Sequence, residues 1–477
     1  MLFNSLAFFI FLPAVFMLYW FVFNRSLRIQ NMLVLVASYF FYGWWSWEFM
    51  GLLVLCTLMD YGYAFGVASE NRHRAKIFLW LSIVNNLGIL AVFKYYDFFA
   101  TELAGALSSI GFETHPVLLQ MVLPIGISFY TFHGMSYVFD IYKGRVKPVT
   151  DFVEYAVFVS FFPLLVAGPI ERATHLLPQI RKARFFQRAQ SVAGCRLILW
   201  GLFKKVVVAD SLAPFVDNAF TQSETAGSLQ LIAGMLAFTF QIYGDFSGYS
   251  DIALGTAKLF GFELLSNFRF PYFSRDLAEF WRRWHISLSS WFRDYLYIPL
   301  GGSQGGKVTA IRNTFVIFLV SGFWHGASWN FIVWGLIHAC GFLPLLLAGQ
   351  NRRHAGTDVA VGRILPNWLE WRGMLTTFVF VCFAWVFFRA ESLSVAIGYI
   401  QHMFVYTPVT DWMEGSWKIL LWPSILIICD WYLRLDERNL RVPAKTWLRY
   451  TLYTSCALAV SYHMMLEGKN TFIYFQF

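Results

Sequence analysis

The sequence predicts an all-α, polytopic membrane protein. Of its 477 residues, 58% are hydrophobic and only 14% are charged, whereas soluble domains carry roughly a quarter of charged residues. Many apolar stretches are long enough to cross a hydrocarbon core of ~30 Å. They are continuous rather than alternating, which disfavours a β-barrel. Allowing for tilted and broken helices, we expect about 10–13 transmembrane helices.

The charge pattern indicates a membrane topology. The formal net charge is +9, but the basic residues cluster in loops, as the positive-inside rule requires. No nucleic-acid-binding module is visible, so no nucleic-acid partner is expected. The first 24 residues carry no charge, and Arg25 and Arg28 follow. This order predicts a first membrane helix with an external N-terminus rather than a cleaved signal peptide.

Apolar segments divide the chain into predicted helices with short connections. A single domain over residues 1–477, with a catalytic core at approximately 120–348, is the simplest organisation. Charge alternation requires residues 95–117 to form an outer loop, and residues 350–372 read as a basic loop. The predicted helices cover residues 6–23, 31–46, 49–67, 77–93, 118–140, 152–169, 193–209, 229–243, 248–262, 308–323, 328–348, 374–390, 417–433 and 448–465.

The segment 152–169 breaks the charge alternation. Pro163, Gly168 and Pro169 interrupt it, and a basic stretch from Arg172 to Arg188 follows. A simple crossing would place these charges outside. We therefore expect a re-entrant or broken helix, which is tolerated where the backbone is buried in protein or lines a cavity.

Residues 275–300 are polar and aromatic together, which predicts one amphipathic helix at the membrane interface or within the protein. Asp276 and Glu279 approximate a capping box. The glycine-rich run 301–306 ends the helix. This run could be a phosphate-binding loop or a flexible turn; no Gly-Lys-Ser/Thr follows, so the turn is favoured.

Two histidines lie in otherwise apolar surroundings. His325 occurs in the run Ser-Gly-Phe-Trp-His-Gly-Ala-Ser-Trp-Asn (321–330), and His285 in Trp-Arg-Arg-Trp-His-Ile-Ser (281–287). A titratable side chain inside a membrane is costly unless it is used or satisfied. Both are therefore candidate acid–base residues, whereas His338, His402 and His463 are expected to be structural, bonded to backbone carbonyls.

A polar run, Tyr-Gly-Asp-Phe-Ser-Gly-Tyr-Ser-Asp (243–251), separates two predicted helices. It could be an outer loop, or a broken helix that lines a cavity, for which Gly244 and Gly248 are suitable. Buried carboxylates would need partners. The candidates are His285 and the pair Arg282–Arg283.

These residue types suit acyl transfer to a hydroxyl. A neutral imidazole can take the proton of a hydroxyl as it attacks an acyl carbonyl. Neither a Gly-x-Ser-x-Gly elbow nor a compact Ser-His-Asp order is present, so direct transfer from a thioester is favoured. Cysteines and histidines are not clustered at zinc spacing, and no metal is expected.

Five stretches carry a family resemblance. They are residues 123–132, 245–251, 279–302, 324–326 and the C-terminal 472–477. In these stretches the chain resembles the membrane-bound O-acyltransferase family, and most of all its bacterial branch that acetylates polysaccharides.

The resemblance implies that His325 is the catalytic histidine and His285 the second active-site histidine. It also implies a central funnel or tunnel, reached by an acyl thioester from the cytoplasm and by an acceptor from the other side. The donor would be acetyl-CoA, used as a substrate and not as a bound cofactor. The candidate substrate-binding or tunnel-lining residues are Asp245, Ser247, Tyr249, Asp251, Trp281, Arg282, Trp324 and Asn330.

The resemblance further implies several partners: membrane lipid, a separate extracytoplasmic acetyltransferase protein, and a polysaccharide acceptor such as alginate, peptidoglycan or cellulose. The location would be the inner, cytoplasmic membrane. Two other readings stay open. A polymer or acyl-carrier exporter could use both histidines as proton relays, although we find no inverted repeat. A structural subunit of an export complex would leave the buried polar residues unexplained.

Overall fold

The structure, a computed structural model, describes residues 1–112, 114–166, 168–406, 418–438, 440–466 and 472–473. Twenty α-helices and no strand occur in these ranges. Several helices continue into a wider π-helical turn, as at Leu18–Val22, Ala91–Tyr95, Phe203–Ala209 and Arg293–Tyr297. The all-α prediction is confirmed.

The chain divides into two units by contact density. The first comprises Met1–Gly194 and Thr256–Leu265, and the second comprises Cys195–Gly255 and Ser266–Phe477. The helices of the first unit are α1 (Leu6–Met17), α2 (Leu27–Gly43), α3 (Trp47–Val67), α4 (Arg72–Leu90), α5 (Tyr96–Ser109), α6 (Ile127–Tyr142), α7 (Phe152–Ser160), α8 (Phe162–Leu165) and α9 (Ala173–Arg181).

The remaining helices contribute to the second unit, and two of them extend into the first. They are α10 (Arg188–Leu202), α11 (Asp210–Thr221), α12 (Ser228–Leu259), α13 (Leu277–Arg283), α14 (Ile286–Phe292), α15 (Gly306–His325), α16 (Trp329–Leu347), α17 (Trp368–Arg389), α18 (Leu393–Phe404), α19 (Lys418–Leu433) and α20 (Thr446–Leu466). A 3₁₀ turn covers Pro271–Phe273.

Four described helical segments are long and apolar enough to cross a membrane. They are Trp47–Val67, Arg72–Ser109, Trp329–Leu347 and Trp368–Arg389. Large apolar side chains on them remain exposed, including Trp80 at 61% and Leu375 at 61%. Apolar surface of this kind suits contact with lipid acyl chains, so the chain is a polytopic membrane protein.

The predicted outer loop 95–117 is wrong over most of its length, because residues 96–109 form α5. This stretch is rich in alanine and leucine, which favour helix, and charge alternation alone missed it. The next helix, α6, begins at Ile127 rather than at residue 118. Pro124 cannot donate a backbone hydrogen bond, and the left-handed Gly126, with φ 75°, forms a turn directly before α6.

The predicted break in segment 152–169 is confirmed. Helix α7 ends at Ser160, and Phe161 adopts ψ 112° before the short helix α8. Pro163 lies in the first turn of α8, where its missing N–H costs nothing. The next described helix begins at Ala173.

The predicted interruption at residues 243–251 is wrong. Helix α12 is continuous from Ser228 to Leu259 and carries the polar run in its middle. The glycines serve close packing instead of a break. A Cβ on Gly248 would lie 2.7 Å from the Gly201 carbonyl oxygen, and one on Gly244 would lie 3.0 Å from that of Lys204. Small residues four apart allow helices to approach in this way.

The single amphipathic helix predicted for residues 275–300 is also wrong, because it divides into α13, α14 and a π-helical turn. The division falls at His285, whose φ of 42° is left-handed. The start is as predicted: the Asp276 carboxylate accepts a hydrogen bond from the Glu279 amide at 2.7 Å. Glu279 does not complete a capping box, because its carboxylate accepts from the Arg275 amide.

Besides α5, three helices were not predicted: α9, α11 and α18. Each is short, with 9 to 12 residues. Polar residues interrupt their apolar faces, so none resembles a membrane-spanning segment.

Candidate active site

His325 is the last residue of α15 and is buried. Its position depends on the tight hairpin between α15 and α16. A Cβ on Gly322 would lie 2.2 Å from the Phe331 carbonyl oxygen, and one on Gly335 would lie 2.3 Å from that of Phe318. Only glycine fits at these two crossings, so the glycines fix where α15 ends and where its histidine lies.

Aromatic rings enclose the His325 imidazole. Its centroid lies 4.7 Å from the Trp324 ring, 5.2 Å from the Trp334 ring and 5.1 Å from the Phe388 ring. The Trp334 and Phe388 rings meet the imidazole nearly edge-on, at 85° and 73°. Edge-on aromatic contacts of this kind hold the imidazole in one orientation.

His285 lies between α13 and α14 and is 1% exposed. Two backbone hydrogen bonds of 2.9 Å hold its left-handed turn, from Arg269 to the Arg283 carbonyl and from Ile286 to the Asn267 carbonyl. A left-handed residue with a Cβ costs ~1–2 kcal/mol. Strain of this kind persists where the surroundings fix the backbone, and it concentrates at functional sites.

The indole of Trp324 brings the two histidines into one cluster. Its ring lies 6.1 Å from the His285 ring and 4.7 Å from the His325 ring. The His285 imidazole also meets the Phe246 ring edge-on, with the two ring centroids 4.7 Å apart. The polar run of α12 therefore adjoins the histidine cluster through Phe246.

Trp281 and His338 extend the cluster away from His325. The Trp334 ring lies 4.8 Å from the His338 ring. The Trp281 indole N–H donates to His338 Nδ1 at 3.3 Å. This bond places the His338 proton on Nε2, because a neutral imidazole that accepts at one nitrogen carries its proton on the other. His338 was expected to bond a backbone carbonyl; its partner is a side chain instead.

Asp245 is paired with lysine and not with the predicted partners. Its Oδ1 lies 2.6 Å from Lys205 Nζ, and its Oδ2 accepts a hydrogen bond of 2.6 Å from the Ile473 amide. Lys205 also contacts Asp210 at 2.8 Å. The prediction that His285 and Arg282–Arg283 balance these carboxylates is wrong. A lysine partner offsets part of the desolvation cost of burying an ionised carboxylate.

Asp251 lies two turns further along α12 and pairs with Lys204 at 2.6 Å. Both residues line a cavity of about 20 Å³, large enough for one water molecule. The Tyr243 hydroxyl, on the same wall, donates to Asp430 at 2.7 Å. Asp251 is thus paired with Lys204 and not with the predicted partners, His285 and Arg282–Arg283.

Ser247 and Tyr249 of α12 differ in the contacts that their side chains make. The Ser247 hydroxyl is buried, and no described residue bonds it. The Tyr249 ring lies 4.6 Å from the ring of Phe472. The C-terminal stretch thus packs on α12, although residues 474–477 of the sequence motif lie outside the described residues.

Arg282 and Asn330 both donate hydrogen bonds to backbone carbonyls of neighbouring segments. The Arg282 guanidinium donates to the Asn351 carbonyl at 2.8 Å. The Asn330 amide donates to the Phe387 carbonyl at 3.2 Å and to the Ala390 carbonyl at 2.7 Å. Asn330 therefore fastens the start of α16 to the end of α17, close to His325 in the chain.

Helix α13 is fixed to the loop after α16 by a network of charges. Arg283 contacts Glu279 at 2.8 Å and Asp358 at 3.3 Å. Burial opposes ionisation of Glu279, but bonds from Arg275 and the charge of Arg283 outweigh it and lower its pKa below the ordinary value. An ionised Glu279 keeps α13, and with it Trp281, in place.

A cavity of about 220 Å³ adjoins the cluster. Trp281 and Ser321 line it, and Arg352 lies at its edge in the basic loop. Ser321 precedes His325 by one helical turn. The lining does not include either imidazole, so the tunnel to His325 stays a prediction.

Comparison with known proteins places this chain in a family. The model of MBOAT, the membrane-bound O-acyltransferase family, matches residues 147–387. The chain is 41% identical over 416 residues to the probable alginate O-acetylase AlgI of Azotobacter vinelandii, covering 86% of this chain and 79% of that protein. It belongs to the membrane-bound O-acyltransferase family. The predicted resemblance is confirmed, and the protein is an O-acyltransferase.

Two further relatives show the breadth of the similarity. The peptidoglycan O-acetyltransferase of Helicobacter pylori is 35% identical over 433 residues, covering 84% of this chain and 80% of that protein. The teichoic acid D-alanyltransferase of Bacillus subtilis is 28% identical over 279 residues, covering 56% and 69%. This O-acyltransferase is thus similar to enzymes named for different acceptors.

The family match includes both histidines, the aspartates of α12 and most of the aromatic cluster. Sequence reasoning missed several residues of this site: Lys204, Lys205, Trp334, His338, Phe388 and Asp430. One signal was available. Lys204 and Lys205 lie inside an apolar segment, and buried lysines require carboxylate partners.

Proposed function

We propose that this O-acyltransferase moves acetyl groups from a cytoplasmic thioester, acetyl-CoA, to hydroxyl groups of an extracytoplasmic polysaccharide. The observation that carries the proposal is the burial of His325 and His285 around the shared indole of Trp324. The names of the relatives, alginate O-acetylase and peptidoglycan O-acetyltransferase, support an acetyl group and a polysaccharide acceptor.

In the proposed reaction, neutral His325 accepts the proton of the attacking hydroxyl. The hydroxyl oxygen bonds to the thioester carbonyl carbon, the C–S bond breaks, and the proton passes from His325 to the departing thiolate. The acetyl group ends as an ester of the acceptor and CoA leaves as a free thiol, so no covalent enzyme intermediate is required. General-base catalysis of this type contributes ~10²–10⁴-fold.

His285 is proposed to orient the donor or to assist proton transfer. Its fixed left-handed turn holds the imidazole against Phe246 and Trp324. A ring held this firmly can position a substrate with little loss of entropy on binding. The cavity beside Trp281 and Arg352 is the proposed approach for the thioester from the cytoplasm.

The acceptor is proposed to be alginate or peptidoglycan, and a separate extracytoplasmic protein is proposed to complete transfer to the polymer. The location is proposed to be the inner membrane. Sedimentation of membrane fractions against inner- and outer-membrane markers tests the location.

The test of function uses the purified protein in liposomes with acetyl-CoA labelled in the acetyl group. Labelled ester on an added oligosaccharide, or release of free CoA with acetate, supports the enzyme. Oligosaccharides of alginate and of peptidoglycan, each with and without the candidate partner protein, identify the acceptor. Movement of polymer across the vesicle without cleavage of acetyl-CoA would instead indicate the transporter.

A further inference from the structure

A second cavity lies away from the histidine cluster, between α10, α19 and α20. Its volume is about 530 Å³, within the range of specific small-molecule sites. The walls are predominantly apolar, with Leu199, Phe203 and Ile425 among the lining residues. A hydrocarbon chain in a cavity of this size would contact mainly apolar side chains, and burying its apolar surface there is favourable.

Two polar groups that line this cavity have no hydrogen-bond partner among the described residues. The Arg196 Nε and the Tyr453 hydroxyl are buried, and neither has a hydrogen bond to a described residue. The Arg196 guanidinium lies 5.9 Å from the Tyr453 ring, and both residues line the cavity. An unsatisfied buried polar group costs ~1–3 kcal/mol, so a ligand with acceptor oxygens would relieve this cost.

The charge of the cavity favours an anion. Arg441 also lines it, and within the described residues neither Arg196 nor Arg441 forms an ion pair with a carboxylate. The connection from α19 to α20 is net basic, with Arg434, Arg438, Arg441 and Lys445 against Asp436 and Glu437, and Arg449 follows in the first turn of α20. By the positive-inside rule, this end of the cavity faces the cytoplasm.

We propose that this cavity binds one anionic phospholipid of the cytoplasmic leaflet. An acyl chain occupies the apolar space, and the phosphate accepts hydrogen bonds from Arg196 and Arg441. Arginine suits the task because its stem packs on apolar surface while its guanidinium reaches the headgroup. Basic pockets between membrane helices bind anionic headgroups in this manner.

The site adjoins the lysines that balance the aspartates of α12. Trp200 lines both this cavity and the small cavity of Lys204 and Asp251. Its indole stacks on Phe203 at 5.4 Å and 9°. A lipid bound here would therefore stabilise the end of α10 and the π-helical turn that carries both lysines.

The test is native mass spectrometry of the full chain, titrated with phosphatidylglycerol or with phosphatidylcholine of the same acyl chains. We expect a specific one-to-one complex with phosphatidylglycerol only. Arg196→Gln should weaken this complex by about fivefold to tenfold, the effect of one charge-assisted bond. The matched control is Lys445→Gln, which removes a charge from the connection between α19 and α20, outside the cavity lining, and should leave binding unchanged.

Two further arms keep the proposal falsifiable. Arg196→Lys keeps the charge and should retain part of the binding if Arg196→Gln folds poorly. Cys456→Phe, which fills part of the apolar space, should weaken lipid binding, whereas glycerol phosphate without acyl chains should not bind. Equal binding of both lipids, full binding by Arg196→Gln, or tight binding of glycerol phosphate alone would overturn the proposal. So would a co-purified protein segment that occupies the cavity.

Discussion

Lys205 Nζ lies 2.6 Å from Asp245 Oδ1 in the interior of the second unit. Breaking a buried pair by removing one partner leaves an uncompensated charge and costs ~3–5 kcal/mol. We expect Asp245→Leu to lower thermal stability in detergent strongly, and to release the Ile473 amide that bonds the same carboxylate. Because Lys205 also contacts Asp210, the double variant Lys205→Met/Asp245→Leu should stay below wild-type stability, but its loss should be smaller than the sum of the two single losses. Strictly additive losses would contradict the pairing.

The second prediction concerns backbone strain at His285, where φ is 42°. His285→Ala and His285→Gly remove the same imidazole, but only glycine adopts this conformation without cost. We expect His285→Gly to be the more stable of the two by ~1 kcal/mol, measured by thermal unfolding. Both should lower turnover. Equal stability of the two variants would show that the turn is not strained, and turnover equal to wild type in single-turnover assays would make the residue structural.

The third prediction concerns the hairpin of α15 and α16. A Cβ at Gly322 would lie 2.2 Å from the Phe331 carbonyl oxygen, so Gly322→Ala must push the two helices apart. We expect a destabilised protein with a large loss of transferase activity, because His325 ends α15. Gly398→Ala in α18 is the control, since no atom lies within 4 Å of its added Cβ. There alanine should be neutral or stabilising, by up to ~1 kcal/mol.

The fourth prediction concerns topology. Cysteines introduced at Lys182 and Arg352 should react with a membrane-impermeant maleimide only from the cytoplasmic side, as the positive-inside rule requires. The exposed native cysteines, Cys195 and Cys340, are first replaced by alanine. Labelling of Lys182→Cys from outside would contradict the re-entrant reading of residues 152–169.

The sequence allowed the membrane class, most apolar helices and the burial of both histidines to be predicted, because apolar length and isolated titratable residues are local signals. It did not reveal that α12 is continuous. Gly244 and Gly248 fit a broken helix and a close helix crossing equally well, and only the position of Gly201 and Lys204 decides between them.

The partners of the α12 aspartates were beyond local reasoning as well. Lys205 and Asp245 are 40 residues apart, and the local sequence of neither segment predicts that the two side chains pair. The left-handed turn at His285 also depends on contacts that are distant in sequence. Backbone hydrogen bonds join residues 267–269 to residues 283–286, whereas the apolar spacing from 277 to 295 suggests an unbroken helix. Trp324 was predicted from its neighbour His325, but its second contact, with His285, depends on that same turn.

The most direct measurement of the central claim is single-turnover acetyl transfer from labelled acetyl-CoA by wild type and His325→Ala. His354→Ala, in the basic loop, is the control for an imidazole lost outside the cluster. We expect His325→Ala to fold, with a melting temperature near that of wild type, and its transfer rate to fall by ~10²–10⁴-fold or more, while the control is fully active. Wild-type transfer by a folded His325→Ala protein would contradict the assignment of His325 as the general base.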